Sequence, residues 1–155
     1  MTPEARLAQL GLQLEPPAPA VARYVGAVAI GGLLFVSGHG PFRAGDFVFK
    51  GKLGRDLDVE TGQQAARLVA LNMLSTIKAT IGELDRVKRV VKLLILVNSM
   101  PDFTEQHRVA NGASELLIDV FGQERGPHAR SAIGVPTLPF GIAVEIEGVF
   151  ALDVR

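Results

Sequence analysis

The side chains that could carry out chemistry in this sequence are carboxylates, arginines, hydroxyls and three histidines. The chain has no cysteine, which excludes a thiol nucleophile, a disulfide framework and a zinc–thiolate site. The histidines, His39, His107 and His128, do not have the H-x₃-H or H-E-x-x-H spacing of a metal site. We therefore expect any chemistry to use carboxylates, arginine, hydroxyls or backbone amides, with no metal.

Composition narrows the classes of partner. The chain has 16 Lys and Arg against 16 Asp and Glu, a net charge of +0, so its overall charge attracts neither nucleic acid nor an anionic membrane. No signal peptide is recognisable, and Gly31-Gly32 interrupts the one long apolar run, residues 25–36, so it is not expected to span a membrane. The lack of cysteine fits a reducing compartment, and we expect a cytoplasmic protein.

Length and apolar content predict one domain that associates with itself. The 155 residues suffice for a single core, so residues 1–155 are expected to form one domain. Hydrophobic residues make up 48% of the chain, more than a small monomer needs. We therefore expect an oligomer.

The richest stretch for chemistry is the C-terminal run HARSAIGVPTLPFGIAVEIE, which spans residues 128–147. It contains Arg130-Ser131, then Leu138-Pro139, then a strand-like segment with Glu145 and Glu147. In this ordered set the sequence resembles the RidA/YjgF family, also known as endoribonuclease L-PSP, and most closely a longer, less characterised branch of it. The resemblance extends to Tyr24 at the start of a strand, to a Phe-Val-Ser-Gly strand end at 35–38, and to Asn111 early in a helix.

The resemblance implies a chorismate-mutase-like homotrimer with clefts between subunits. It also implies a cofactor-free deaminase that hydrolyses 2-aminoacrylate-type enamines and imines to 2-keto acids and ammonia. Arg130 would hold the substrate carboxylate through two parallel donors, and Glu145 would orient or deprotonate the attacking water. Tyr24, Asn111, His39 and Ala132 would line the substrate pocket. A non-catalytic binder of small carboxylates is the alternative; an endoribonuclease is disfavoured by the neutral charge and the lack of base-stacking aromatics.

Simpler structural roles for the same residues stay open at this stage. Arg130 could pair with Glu145 or Glu147 across neighbouring strands. Tyr24 could fill core space, and Asn111 could be a hydrogen-bonding residue at a helix start. His128, which follows a proline, is typical of a turn, and His107 of an exposed helix face.

The sequence also departs from the family pattern. His39 stands where deaminating members commonly have glutamine, and Ala132 stands where many have cysteine. The loop over residues 42–58 is longer than in the best-known members. These differences predict an altered pocket lining, and they leave the substrate open.

The elements that must position these residues follow from periodicity. Residues 1–20 predict a short helix from Thr2-Pro3-Glu4 to Gly11, followed by a proline-rich strap. Strands are expected at 24–30 and 33–37, joined by Gly31-Gly32 in a hairpin turn, and a long loop with a short strand follows.

Amphipathic and apolar patterns predict the remaining elements. A helix is expected over 59–81, a strand over 87–97, a second helix over about 104–121 with Gly122 as its stop, and strands at 130–135 and 143–152. The order indicates an α/β (α+β) fold in which two helices pack on one face of a mixed sheet. The other face of that sheet is apolar, and self-association would cover it.

Overall fold

The computed structural model describes residues 1–154 of the chain. Within these residues the elements are α1 (Pro3–Gln9), β1 (Ala27–Ile30), β2 (Leu33–His39), β3 (Phe42–Arg43), β4 (Asp46–Phe47), α2 (Val59–Ile81), β5 (Val87–Asn98), α3 (Gln106–Arg125), β6 (Ala129–Val135) and β7 (Val144–Leu152). Two short 3₁₀ turns, Leu84–Arg86 and Pro139–Gly141, complete the described structure.

Five strands form one mixed sheet in the order β1-β2-β7-β5-β6. All neighbouring strands are antiparallel except β5 and β6, which are parallel because α3 connects them as a crossover. Helices α2 and α3 pack against each other and against this sheet. The predicted mixed sheet with two helices on one face is confirmed.

The helix ends show how far local signals determine the elements. The Asp58 side chain accepts a hydrogen bond from the Thr61 amide at 2.8 Å, and Gly82 ends α2 with a φ of 91°, so the predicted bounds of 59–81 are correct. Gly122 has a positive φ of 80° and interrupts the regular helix at the predicted stop, but α3 continues beyond this kink to Arg125. The Gly126 amide donates to the Gly122 carbonyl at 2.8 Å, so one further turn follows the kink.

Two hairpins flank β2, one at each of its ends. Gly31 and Gly32 both have positive φ and join β1 to β2, as predicted, although β1 begins at Ala27, so Tyr24 lies before the strand and not at its start. The long loop contains β3 and β4, which form a second, minimal hairpin, where one short strand was expected.

The two faces of the sheet have different surroundings. Alternate residues of β7, among them Val144, Ile146 and Phe150, are buried under the helices, as their alternation predicts. The other face exposes large apolar side chains: Val28, Ile30, Leu33, Phe35 and Ile133. We call this surface the open face. Within residues 1–154, no helix is both long enough and apolar enough to cross a membrane.

Candidate functional site

A cavity of about 740 Å³ lies where the ends of β2 and β7 meet α2. Its lining includes three residues that the sequence analysis selected, Tyr24, His39 and Glu145. Tyr24 is 46% exposed, so it is not the core aromatic that a purely structural role would require. The cavity therefore brings half of the predicted site residues together.

Glu145 lies on β7 with its carboxylate against Gly38 of β2. A Cβ atom at position 38 would stand 2.9 Å from Glu145 Oε2, so any other residue here would force this carboxylate to move. Glu145 is half-buried, and this burial, together with the nearby charge of Glu147, raises its pKa. A carboxylate with a raised pKa is a stronger base, which suits proton transfer from water near neutral pH.

His39 forms part of the cavity wall. Its Nδ1 lies 2.6 Å from the Ser37 carbonyl, which can only accept, so Nδ1 carries the proton. Its Nε2 then accepts from the Thr76 hydroxyl at 2.7 Å. Burial lowers the pKa of His39, so the ring is neutral near pH 7 and is held in one orientation.

Arg130 lies on β6, where its guanidinium contacts α3. Nη1 donates to Ser114 Oγ at 2.9 Å, and Nη2 donates to Asn111 Oδ1 and to the His107 carbonyl, each at 2.9 Å. Positions 107, 111 and 114 share one face of the helix, so α3 presents three acceptors to one guanidinium. The arginine is thereby held in position at the edge of the sheet.

His128 supports this arrangement through Ser114. Its Nδ1 donates to the Gly126 carbonyl at 2.7 Å, and its Nε2 accepts from Ser114 Oγ at 2.9 Å, which leaves the serine oxygen free to accept from Arg130. Burial lowers the pKa of His128, which keeps the ring neutral. Sequence reasoning missed Ser114 and treated His128 as a turn residue. Residues two apart in an extended segment share a face, so the position of His128 two residues before Arg130 was a usable signal.

The cavity and the Arg130 cluster do not meet within one chain. Arg130 lies opposite Leu93 on the helix-covered side of the sheet, whereas Glu145 lies opposite Leu96 on the open face, and β5 separates the two strands. The alternative in which Arg130 pairs with Glu145 or Glu147 across neighbouring strands is therefore wrong for the single chain.

The two remaining predicted site residues, Asn111 and Ala132, lie with Arg130 and not at the cavity. Asn111 contacts Arg130, and Ala132 lies two residues beyond it, opposite Ile95 and packed on the core. Both are outside the lining of the cavity. Among residues 1–154, no group of three or more His, Asp or Glu side chains is arranged to hold a metal ion.

The fold and these two clusters define a class of protein: a chorismate-mutase-like α/β layer with a helix-bound arginine at one sheet edge and a half-buried glutamate beside a cavity. A family model described as "YjgF/chorismate_mutase-like, putative endoribonuclease" matches residues 4–150. The chain belongs to this YjgF/RidA family.

Individual relatives are similar to this chain over nearly its whole length. Protein TCP17 of Trypanosoma cruzi is 50% identical over 149 residues, which cover 96% of this chain and 93% of that protein. The crystal structure of Atu1372 from Agrobacterium tumefaciens, a protein of unknown function, has 43% identity and a TM-score of 0.89 over 99% of this chain and 93% of its own. A "putative endoribonuclease" from Shewanella oneidensis has 33% identity and a TM-score of 0.94 over 98% and 100% of the two chains.

Proposed function

We propose that the protein is a cytoplasmic, cofactor-free deaminase that hydrolyses 2-imino acids and their enamine tautomers to 2-keto acids and ammonia. The observation that carries this proposal is that one chain holds both a positioned arginine and, at a separate place beside a cavity, a half-buried glutamate whose pKa is raised. An arginine that is always protonated suits a substrate carboxylate, and a basic carboxylate suits activation of water.

The proposed site is completed by a second copy of the chain. Arg130 and Glu145 occupy different strands and opposite faces of the sheet, so one surface offers the carboxylate anchor and a different surface offers the base. Two different surfaces that contact each other head to tail generate a closed ring when the rotation permits. The exposed apolar side chains of the open face support burial in such a ring, which we take to be a homotrimer.

In the proposed reaction, Glu145 takes a proton from water as the oxygen adds to the carbon of the protonated imine, which gives a carbinolamine. Glu145 then returns this proton to the nitrogen, ammonia leaves as the C=O bond forms, and the hydroxyl proton is released to water or ammonia. Arg130 holds the carboxylate throughout and transfers no proton. Imine hydrolysis is already facile, so orientation together with modest acid–base assistance is sufficient catalysis.

The structure constrains how Arg130 binds a carboxylate. Nη2 already has two acceptors inside the chain, so a two-pronged contact that uses Nη2 displaces one of them. The Asn111 side chain can rotate away, whereas the His107 carbonyl belongs to α3. Asn111 therefore releases Nη2 to the substrate in the proposed complex.

An endoribonuclease is not supported by the cavity. Among the residues that the structure describes, the cavity lining contains two carboxylates, Glu145 and Glu147, and no lysine or arginine, so the cavity does not attract a phosphate backbone.

The test is an imine-hydrolysis assay. A serine/threonine dehydratase generates 2-aminoacrylate or 2-iminobutyrate, semicarbazide traps the imine, and the purified protein competes with the trap. Trapping also displaces ammonia from the imine, so the readout is the semicarbazone, and we expect its rate of formation to fall when the protein is added. If the protein binds pyruvate or 2-ketobutyrate without accelerating hydrolysis, it is a carboxylate binder and not a deaminase.

A further inference from the structure

The cavity beside Glu145 has an aromatic wall. The Phe47 ring lies between two others: the Phe42 ring meets it edge-on with centroids 5.3 Å apart, and the Phe140 ring stacks on it at 4.9 Å with 23° between the planes. All three rings line the cavity, and Phe140 is 57% exposed. An aromatic surface of this kind favours apolar and aromatic ligands.

The backbone holds these rings in place. Phe42 and Phe47 face each other in the β3–β4 hairpin, and Asn72 Nδ2 of α2 donates to the Phe42 carbonyl at 2.9 Å. Phe140 has a φ of 60°, a left-handed conformation that is strained for a residue with a side chain and free of strain for glycine. The strained backbone places the Phe140 ring against Phe47.

The size and charge of the cavity also favour a large, uncharged, apolar group. In the single chain the cavity has a volume of about 740 Å³, within the range of sites that take drug-sized ligands, so it offers room for a side chain larger than that of 2-aminoacrylate. The charged side chains of the described lining are two carboxylates. A ligand that places its carboxylate on Arg130 of a neighbouring copy would therefore place an uncharged, apolar group in this cavity.

We propose that the substrate is a 2-imino acid with an aromatic or similarly large apolar side chain, which lies against Phe47 and Phe140 while Glu145 faces the imine carbon. This inference rests on the proposed function. Water adds to the C=N bond, ammonia leaves, and an aromatic 2-keto acid is formed. The reaction that supplies the substrate is then oxidation of an amino acid at its Cα–N bond, because β-elimination from serine or threonine leaves only a small side chain.

The test compares two imines in the same assay. An amino acid oxidase generates the imines of phenylalanine and alanine, and kcat/KM is measured for each. We expect the wild type to favour the phenylalanine imine by about tenfold or more, the scale on which an apolar pocket discriminates side chains by size. A ratio at or below one overturns the proposal.

Matched variants locate the source of the preference. Phe47→Leu and Phe140→Leu remove a cavity ring but keep an apolar side chain, and Phe49→Leu makes the same change outside the cavity lining. We expect the ratio to fall in the first two variants and to stay at the wild-type value in Phe49→Leu. An unchanged ratio in both cavity variants, or an altered subunit assembly of Phe140→Leu with an unchanged ratio, shows that the rings serve packing and overturns the proposal.

A binding measurement separates this proposal from the deaminase proposal. Calorimetry with phenylpyruvate and pyruvate requires no turnover. If no imine is hydrolysed but phenylpyruvate binds at least about tenfold more tightly, the deaminase function fails and the aromatic subsite stands. If imines are hydrolysed but phenylpyruvate has no advantage, the subsite fails alone.

Discussion

Replacement of Glu145 by glutamine removes the proposed base and preserves its shape. Glutamine fits the same space against Gly38, and the proposed carboxylate anchor, Arg130, is on another strand, so affinity for a keto acid is expected to change little. Removal of a general base typically costs about a hundredfold or more in rate, which corresponds to about 2.7 kcal/mol of transition-state stabilisation. We expect kcat for imine hydrolysis to fall by that factor and the Kd of 2-ketobutyrate to stay within about threefold.

The pH dependence gives this prediction a second readout. Glu145 must be ionised to act as a base, so wild-type activity should fall as pH drops through its raised pKa. Glu147→Gln removes the neighbouring like charge that contributes to this raised pKa, so the acid limb should move to lower pH with little loss of maximal rate.

The thermal stability of Glu145→Gln should also differ from that of the wild type. Because burial raises the pKa of Glu145, its ionised form destabilises the native state above that pKa. Glu145→Gln should therefore melt at a higher temperature than wild type at neutral pH, and the difference should vanish in acid.

If Glu145→Gln hydrolyses imine at the wild-type rate, or Glu147→Gln loses as much activity, the assignment of Glu145 as base is refuted.

Three further predictions concern the anchor, the base and the assembly. Arg130→Ala should keep the fold and weaken 2-ketobutyrate binding by roughly ten- to a hundredfold in calorimetry, the loss expected for a two-pronged charged contact. Unfolding of the variant, with unchanged affinity in the fraction that stays folded, would indicate a structural role for Arg130. Gly38→Ala places a Cβ atom 2.9 Å from Glu145 Oε2 and should lower kcat by about tenfold through displacement of the carboxylate, with Kd unchanged; equal losses in kcat and affinity would contradict this. Light scattering should give a mass three times the 16.5 kDa chain at micromolar concentration, and a stable monomer would remove the inter-subunit cleft.

The sequence predicted the elements well because their signals are local. The Asp58 cap and Gly82 bound α2, and Gly31-Gly32 joins β1 to β2, all within a few residues of chain. Gly122 shows the limit of such signals, since a left-handed glycine can kink a helix as well as end it. The choice depends on whether the next residues, up to Gly126, find hydrogen-bond partners.

The arrangement of the site depended on long-range pairing, which no local signal specifies. Arg130 and Glu145 are 15 positions apart in sequence, and the insertion of β5 between β6 and β7 separates their strands. Their opposite faces follow from the pairing register, which sets Arg130 opposite Leu93 and Glu145 opposite Leu96. The contact between Ser114 and Arg130 likewise requires α3 to cross over β6. The aromatic wall depends on a left-handed Phe140, a conformation that the sequence alone would assign to the adjacent Gly141.

The central claim is that one chain supplies the anchor and its neighbour supplies the base. Arg130→Ala and Glu145→Gln, each expected to be strongly impaired alone, can be co-expressed with different tags and purified through both tags, so that every oligomer is mixed. In a homotrimer of either mixed composition, one of the three clefts, about a third, then combines an intact Arg130 from one variant with an intact Glu145 from the other. We expect mixed oligomers to recover imine hydrolysis to about that fraction of wild type, whereas activity no higher than that of the parent variants would contradict a site shared between subunits.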